Sequence, residues 1–426
     1  MPGSFLIAGS RFGSLWQHAG FMRLWSAQTV SMFGTQVSRL AIPLIAILSL
    51  NASPAEVGIV AAAETLPYPL FGLWAGVLAD RIRRRPILIW MDLGRAVLLG
   101  VVPVCWWLDL LSLPLLVALA FGVGTLSVFF DVAAQSYLPA LVSRDRLVEA
   151  NSKFALSGAG TRVVGPGFAG ALIELLSAPF ALGADAVSFL ASGMLIARIR
   201  EPETVTAQNV AERSVARDIR DGVGYVWRHP VLRPIAACTS TFNLAVGMFA
   251  AIFVLYATRD LEISPGVLGL IFAASGAGVL IGARLADHLR VAVGSGRAVA
   301  SSVFVAAIGS LLVALAPSPM VLAAVVLGAG RVVYSIGTVM YDIIQVSLRQ
   351  TVTPDELMGR MNATIRVAVW GTLPFGSLVG GFMGELVGLR PTLFVAVGGM
   401  FAASFWIVRS DVRNLHDVST INCESA

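Results

Sequence analysis

Four ionisable residues stand where hydrocarbon would surround them: Glu64, Arg39, Arg162 and Asp185 each interrupt a long apolar run. A charge at the middle of a bilayer costs roughly 2.5 kcal/mol or more, so a residue kept at that cost is a functional candidate. Glu64 lies nine residues beyond Ala55, about 13 Å into a helix that rises about 1.5 Å per residue. Arg162 reaches a similar depth from the other face. Burial favours the neutral form of a carboxyl group, whereas a nearby guanidinium favours the charged form. A site whose arginine neighbours change between two states can therefore load and release a proton. Glu64 is the expected carrier, with Arg39 or Arg162 as its partner; a fixed ion pair that holds helices together is the alternative. The second half of the chain offers Arg331 and, nearer one face, Asp342 and Arg366. Asp92 and Arg95, three residues apart, have the spacing of a local ion pair on one helix.

Such residues need membrane-spanning helices to hold them. The chain has 426 residues, 57% hydrophobic and 13% charged, with a mean hydropathy of +0.80; soluble domains carry about 25% charged residues. A span takes about 20 mostly apolar residues. Runs of that kind fall near 24–50, 55–79, 87–108, 113–138, 154–176 and 178–197, then near 233–258, 264–286, 298–316, 319–347, 361–387 and 389–408. The fold class is thus an all-α membrane protein of twelve helices, with both termini on one side. The turns at 80–86, 141–153, 287–297 and 348–360 are rich in arginine, while those at 51–56, 109–112 and 176–178 contain no Lys or Arg. By the positive-inside rule the arginine face, and with it both termini, is cytoplasmic.

That distribution excludes several function classes. The formal charge of +5 follows topology rather than one face, so no nucleic-acid partner is expected. Cys105, Cys238 and Cys423 have neither paired nor metal-ligand spacing. His18, His229, His288 and His416 lie outside the apolar runs or at their ends, which leaves a membrane-embedded enzyme without a mid-span base. No metal and no cofactor is expected. A phosphate-binding loop is also missing from the sequence, so the expected energy source is an ion gradient.

The chain repeats itself in parallel. Phe130-Asp131-Val132, followed by Leu147 and Asn151, recurs as Tyr341-Asp342-Ile343, followed by Leu357 and Asn362. Trp16-x-His18 recurs as Trp227-x-His229, and Gly58 as Gly269, at a separation near 210 residues. The expected division is a cytoplasmic segment at 1–20, a six-helix bundle at 21–197, a linker at 198–230, a second six-helix bundle at 231–409 and a cytoplasmic tail at 410–426. The linker has charges of both signs and reads as solvated chain, with helical character over 211–228.

Residues 76–86 resemble the cytoplasmic signature of the major facilitator superfamily. Gly76, Leu78, Ala79, Asp80, Arg81, Arg84 and Arg85 fit it, and Arg83 departs from it where the family has glycine. Gly160-Thr161-Arg162-Val163-Val164-Gly165-Pro166-Gly167-Phe168-Ala169-Gly170 resembles the antiporter motif of the fifth helix, in which Gly160, Gly165, Pro166 and Gly170 would pack and bend the helix. Phe21-x-Arg23-Leu24-Trp25 and Tyr225-x-Trp227-x-His229-Pro230 resemble the bacterial branch of enterobactin exporters and macrolide efflux proteins. The resemblance implies the major facilitator fold, with the substrate site between two bundles. It also implies a cytoplasmic gate in which Gly76 and Asp80 face the eleventh helix and Arg84 or Arg85 pairs with Asp131. Gly72-x-x-x-Gly76, Gly278-x-x-x-Gly282 and Gly376-x-x-x-Gly380-x-x-x-Gly384 read as helix contacts.

Gln28, Met32 and Gln36 on a polar first helix, with Tyr334 and Trp370, are the candidate walls of the cavity. The expected function is a secondary active transporter of the bacterial cytoplasmic membrane. It would export a bulky amphipathic small molecule, such as an antibiotic or siderophore, by proton antiport. A lipid or lysophospholipid transporter of the same fold is the alternative, and a large apolar groove open to the bilayer would favour it. An uptake carrier for a sugar or anion would show several arginines facing one cavity. Expected partners are the substrate, protons and lipid, with the chain acting as a monomer.

Overall fold

The computed structural model describes residues 14–201 and 215–415. Most of the N-terminal segment, the middle of the linker and the end of the tail lie outside the described residues. The first group of helices is α1 (Ala19–Leu44), α2 (Pro54–Thr65), α3 (Pro67–Arg81), α4 (Arg84–Trp107), α5 (Leu113–Leu141), α6 (Leu147–Leu176) and α7 (Ala178–Ala197). An amphipathic α8 (Val215–Arg228) follows. The second group is α9 (Leu232–Leu255), α10 (Pro265–Val293), α11 (Ser295–Ala314), α12 (Met320–Thr351), α13 (Asp355–Val387) and α14 (Leu389–Val408).

Ten stretches among the described residues are long and apolar enough to cross a membrane. The 30-residue α6 adds an eleventh, more polar, crossing. The twelfth is α2 with α3, where the single run expected at 55–79 is interrupted. Pro67 has no N–H to give to a carbonyl of the preceding turn, so the helix breaks after Thr65 and resumes at Pro67. The eleventh span also starts earlier than expected, at Asp355, directly after Pro354.

The repeat reaches down to backbone detail. α1 and α9 both end in a π-helical turn, Ile45–Ser49 and Tyr256–Asp260. Asn51 and Glu262 then turn the chain with positive φ, at 50° and 53°. Ser53 and Ser264 cap the next helix through their hydroxyl oxygens, accepting from Glu56 N and Val267 N at 3.4 Å each. Glu56 completes a capping box by accepting from Ser53 N at 2.7 Å. Each pair is offset by 211 positions (262 − 51, 264 − 53).

Within the first group, α1 packs on α6 and α7, α4 on α5 and α7, and α5 on α2 and α3. The second group repeats this: α9 packs on α13 and α14, α11 on α12 and α14, and α10 on α12. The groups meet chiefly where α2 crosses α13 and α6 crosses α10, with little contact between α3 and α13. α8 rests on the start of α13, with Val226 buried beside Met361 and Ile365. The halves are therefore joined at the end opposite the arginine turns and separate towards the arginine end.

Candidate functional site

The joined end is closed by matched pairs. Gly58 of α2 lies against Gly381 of α13, where a Cβ on Gly58 would come within 2.8 Å of the Gly381 Cα. Gly170 of α6 lies against Gly269 of α10, with a corresponding 2.7 Å. Only glycines let backbones approach this closely. At the same end Glu385 accepts a hydrogen bond from the Ala55 amide at 3.1 Å, and Glu174 accepts one from the Gly266 amide at 2.8 Å. A carboxylate from one half thus caps a helix N-terminus of the other, twice, where unpaired amides and the helix dipole favour negative charge. Every member has its counterpart 211 positions on: Gly58 and Gly269, Gly170 and Gly381, Ala55 and Gly266, Glu174 and Glu385 (269 − 58, 381 − 170, 266 − 55, 385 − 174). Arg259 adds a bond to the Ala52 carbonyl at 2.9 Å. Glu174 and Glu385 do not stand out by residue type; the signal that marks them is their pairing when the repeat is extended to the helix ends.

Below this seal lies a cavity of about 620 Å³ between α9, α12 and α13. Tyr334 and Trp370, expected as walls, line it beside Phe242 and Asn243. Its charged lining is Asp342, Arg349 and Arg366. Of the other expected walls, Gln36 packs against Gly165 of α6, whose Cβ would meet the Gln36 Cγ at 2.7 Å. Gln28 and Met32, both half-buried on α1, are likewise not part of this lining. Trp370 stacks on Tyr68 of the other half at 4.6 Å, and the Tyr68 hydroxyl donates to Asp131 at 3.1 Å.

The proton candidates separate into three places. Arg39 is exposed and acts electrostatically on Glu64, Tyr68 and Asp131. Arg162 is also exposed and stands in the field of Asp342 in the opposite half, where Arg349 is the larger influence, rather than in that of Glu64. Asp185 is removed from both: it is buried between α1 and α7 and accepts from Ser38 and, at 2.8 Å, from Ser188. Gly34 leaves the room for that carboxylate, because α7 packs on the back of α1 away from the cavity. Asp92 and Arg95 form the local pair expected of them. The Arg95 guanidinium lies between the rings of Phe130 and Phe189, at 4.2 and 4.1 Å.

At the arginine end the expected pairing of Arg84 or Arg85 with Asp131 is not formed in this conformation. Arg84 donates to the Ala79 carbonyl at 3.1 Å, and Arg85 to the carbonyls of Ile196 and Ala197 at 3.3 and 2.7 Å. They cap the C-terminal ends of α3 and α7, where cations are favoured. The Asp80 side chain lies outside the described residues. Gly72, Gly76 and Gly160 face open space among the described residues rather than a helix contact. The halves stand apart here, so nothing presses on that face of α3. Gly278, Gly282, Gly376 and Gly380 do make the close contacts expected of them.

A family model described as transmembrane secretion effector, of the major facilitator class, matches residues 10–425. The chain belongs to that family. It is a multi-pass membrane transporter and not an enzyme. An uncharacterised major-facilitator-type transporter of Bacillus subtilis, YfiS, is 25% identical over 387 residues, covering 88% of this chain and 89% of its own. The multidrug efflux pump Tap of Mycolicibacterium fortuitum is 27% identical over 370 residues, covering 84% and 88%. Among solved structures, a bacterial homologue of the iron transporter ferroportin in an inward-facing state has a TM-score of 0.71 at 16% identity, over 93% of this chain and 99% of that one. The nucleoside transporter NupG has a TM-score of 0.75 at 10% identity, over 92% and 98%. At these identities the two structures report the fold alone, and it is the major facilitator fold.

Proposed function

We propose that this transporter is a proton-coupled exporter of bulky amphipathic small molecules, working by alternating access in a bacterial cytoplasmic membrane. The observation that carries the reading is the contrast between the two ends. One is sealed by two symmetric sets of contacts between the halves, while the other opens on a cavity with aromatic and charged walls. With the arginine end cytoplasmic, this is the state that takes cargo from the cell interior. The two six-helix groups, at 21–197 and 231–409, would move as bodies against each other, and the linker with α8 would tether them. Closing the arginine end would bring α3 towards α13, where Asp80, Arg84, Arg85 and Asp131 gather as the inner gate. The similarity to a multidrug efflux pump supports export and a broad substrate range. The charged lining supports a water-soluble or amphipathic cargo over a lipid slid in from the bilayer.

Glu64, in the field of Arg39, is the proposed proton carrier. The test is purified protein in vesicles with an imposed pH gradient and a panel of drugs and metabolites. Substrate-dependent proton movement is expected for at least one compound. No movement with any compound or gradient would overturn the proposal.

A further inference from the structure

Among the described residues, the cations around the cavity outnumber the acids. Ion pairs within 4 Å among the described residues include Arg95 with Asp92, Lys153 with Glu149 and Arg290 with Asp287. Arg331, Arg349 and Arg366 are in none of these. Arg349 and Gln345 are more than nine-tenths buried, and Arg349 Nε and Gln345 Oε1 have no hydrogen-bond partner. Both residues line the cavity, where Asp342 is the single carboxylate against Arg349 and Arg366.

Arg331 is outside that lining, three residues before the cavity-lining Tyr334 on α12, towards the sealed end. Its guanidinium is ringed by Tyr334 and Phe272 at 5.0 Å and Phe253 at 5.7 Å, and its Nε is buried without a partner. Aromatic faces recover only about 0.5–2 kcal/mol for a cation. A buried charge without a counter-charge carries a desolvation cost of several kcal/mol. An anion delivered to this position would therefore gain what the protein leaves uncompensated.

We infer that the cargo carries an acidic group, carboxylate or phosphate in class, held by Arg331 while its aromatic or apolar body lies between Tyr334 and Trp370. Arg349 and Arg366 keep the lower cavity positive and draw the anion in. The inference rests on the cavity being the transport site and narrows what that site accepts. Two arginines, Arg349 and Arg366, line the cavity itself, and Arg331 stands just beyond Tyr334.

The experiment uses the full chain in lipid nanodiscs with two probes of one shape, dansylglycine and its uncharged amide, dansylglycinamide. The wild type should bind the acid at least tenfold more tightly. Arg331→Gln should bind acid and amide alike, and Arg331→Lys, which keeps the charge, should retain most of the preference. Arg366→Gln should weaken the acid severalfold and reduce the salt dependence of its binding. Displacement of the acid by lysophosphatidylglycerol would identify the anion as a lipid headgroup, and no displacement would identify a soluble acid. Equal binding of both probes by the wild type, binding of neither, or a preference that survives Arg331→Gln overturns the inference. Proton-coupled movement of a neutral or cationic drug by the wild type is read separately, so failure of the anion site is distinguishable from failure of transport.

Discussion

At the scale of single residues, charge is handled in three ways. Asp92 and Arg95 are paired and packed between two phenylalanines, an arrangement that serves structure. Replacing Arg95 with Met leaves a carboxylate alone in the interior and should cost about 3–5 kcal/mol, seen as a lowered melting temperature in detergent. Glu64 has no such partner locked to it. Glu64→Gln should abolish transport driven by a pH gradient while passive exchange of substrate persists. A variant that still responds to the gradient rules out Glu64 as the carrier. His229 is a third kind. Its Nδ1 accepts from the amides of Val231 and Leu232 at 3.2 and 3.3 Å, holding the start of α9. Burial pushes the imidazole below its ordinary range, with Arg220, Arg228 and Tyr225 around the same recess. The folded protein then binds this proton less readily than the unfolded chain. The cap is fully present above the ordinary histidine pKa of about 6.5 and is lost as pH falls through the lower folded value. Protection of the Val231, Leu232 and Arg233 amides, measured against their intrinsic exchange rates at each pH, should fall on acidification, and His229→Asn should remove that dependence.

At the scale of elements, the seal concerns helix ends and helix crossings. The Glu174 and Glu385 caps each favour the closed end, as carboxylates at helix N-termini do. Since both act only when this end is closed, the double change Glu174→Gln with Glu385→Gln should shift the population towards the state open at this end. Distances between spin labels on α2 and α13 would report it; unchanged distances would mean the caps are incidental. Gly170→Leu is more severe, because its side chain would meet the backbone of Gly269 and Pro265. It should hold that end open and stop turnover without unfolding either half. A different expectation attaches to the turn between α6 and α7. Ser177 has φ 69° and ψ 159°, a region that suits glycine, and its repeat counterpart is Gly388 with φ 93°. Ser177→Gly should relieve strain of about 1 kcal/mol or more, read as a raised melting temperature.

At the scale of the whole molecule, twelve spans, the duplication and the arginine-rich face were all legible in the sequence, because each is written in local composition or in a residue spacing. The helix pairing of Asp92 with Arg95 was legible for the same reason. The site was legible only in part. Tyr334 and Trp370 were candidates that the structure does bring to the cavity, although an aromatic residue in a span more often packs than lines a site. Asp185 could not be separated from Glu64, because depth in the bilayer is readable from position along a helix, whereas the direction a side chain faces is not. What the sequence determined by itself is therefore what hydrophobic length and local charge dictate: the spans, their number and their doubling. The tertiary structure alone decided which end is sealed and that Glu174 and Glu385 reach across to helices of the other half. Those contacts join residues far apart in the chain, and only the packing of one half against the other fixes which of them meet.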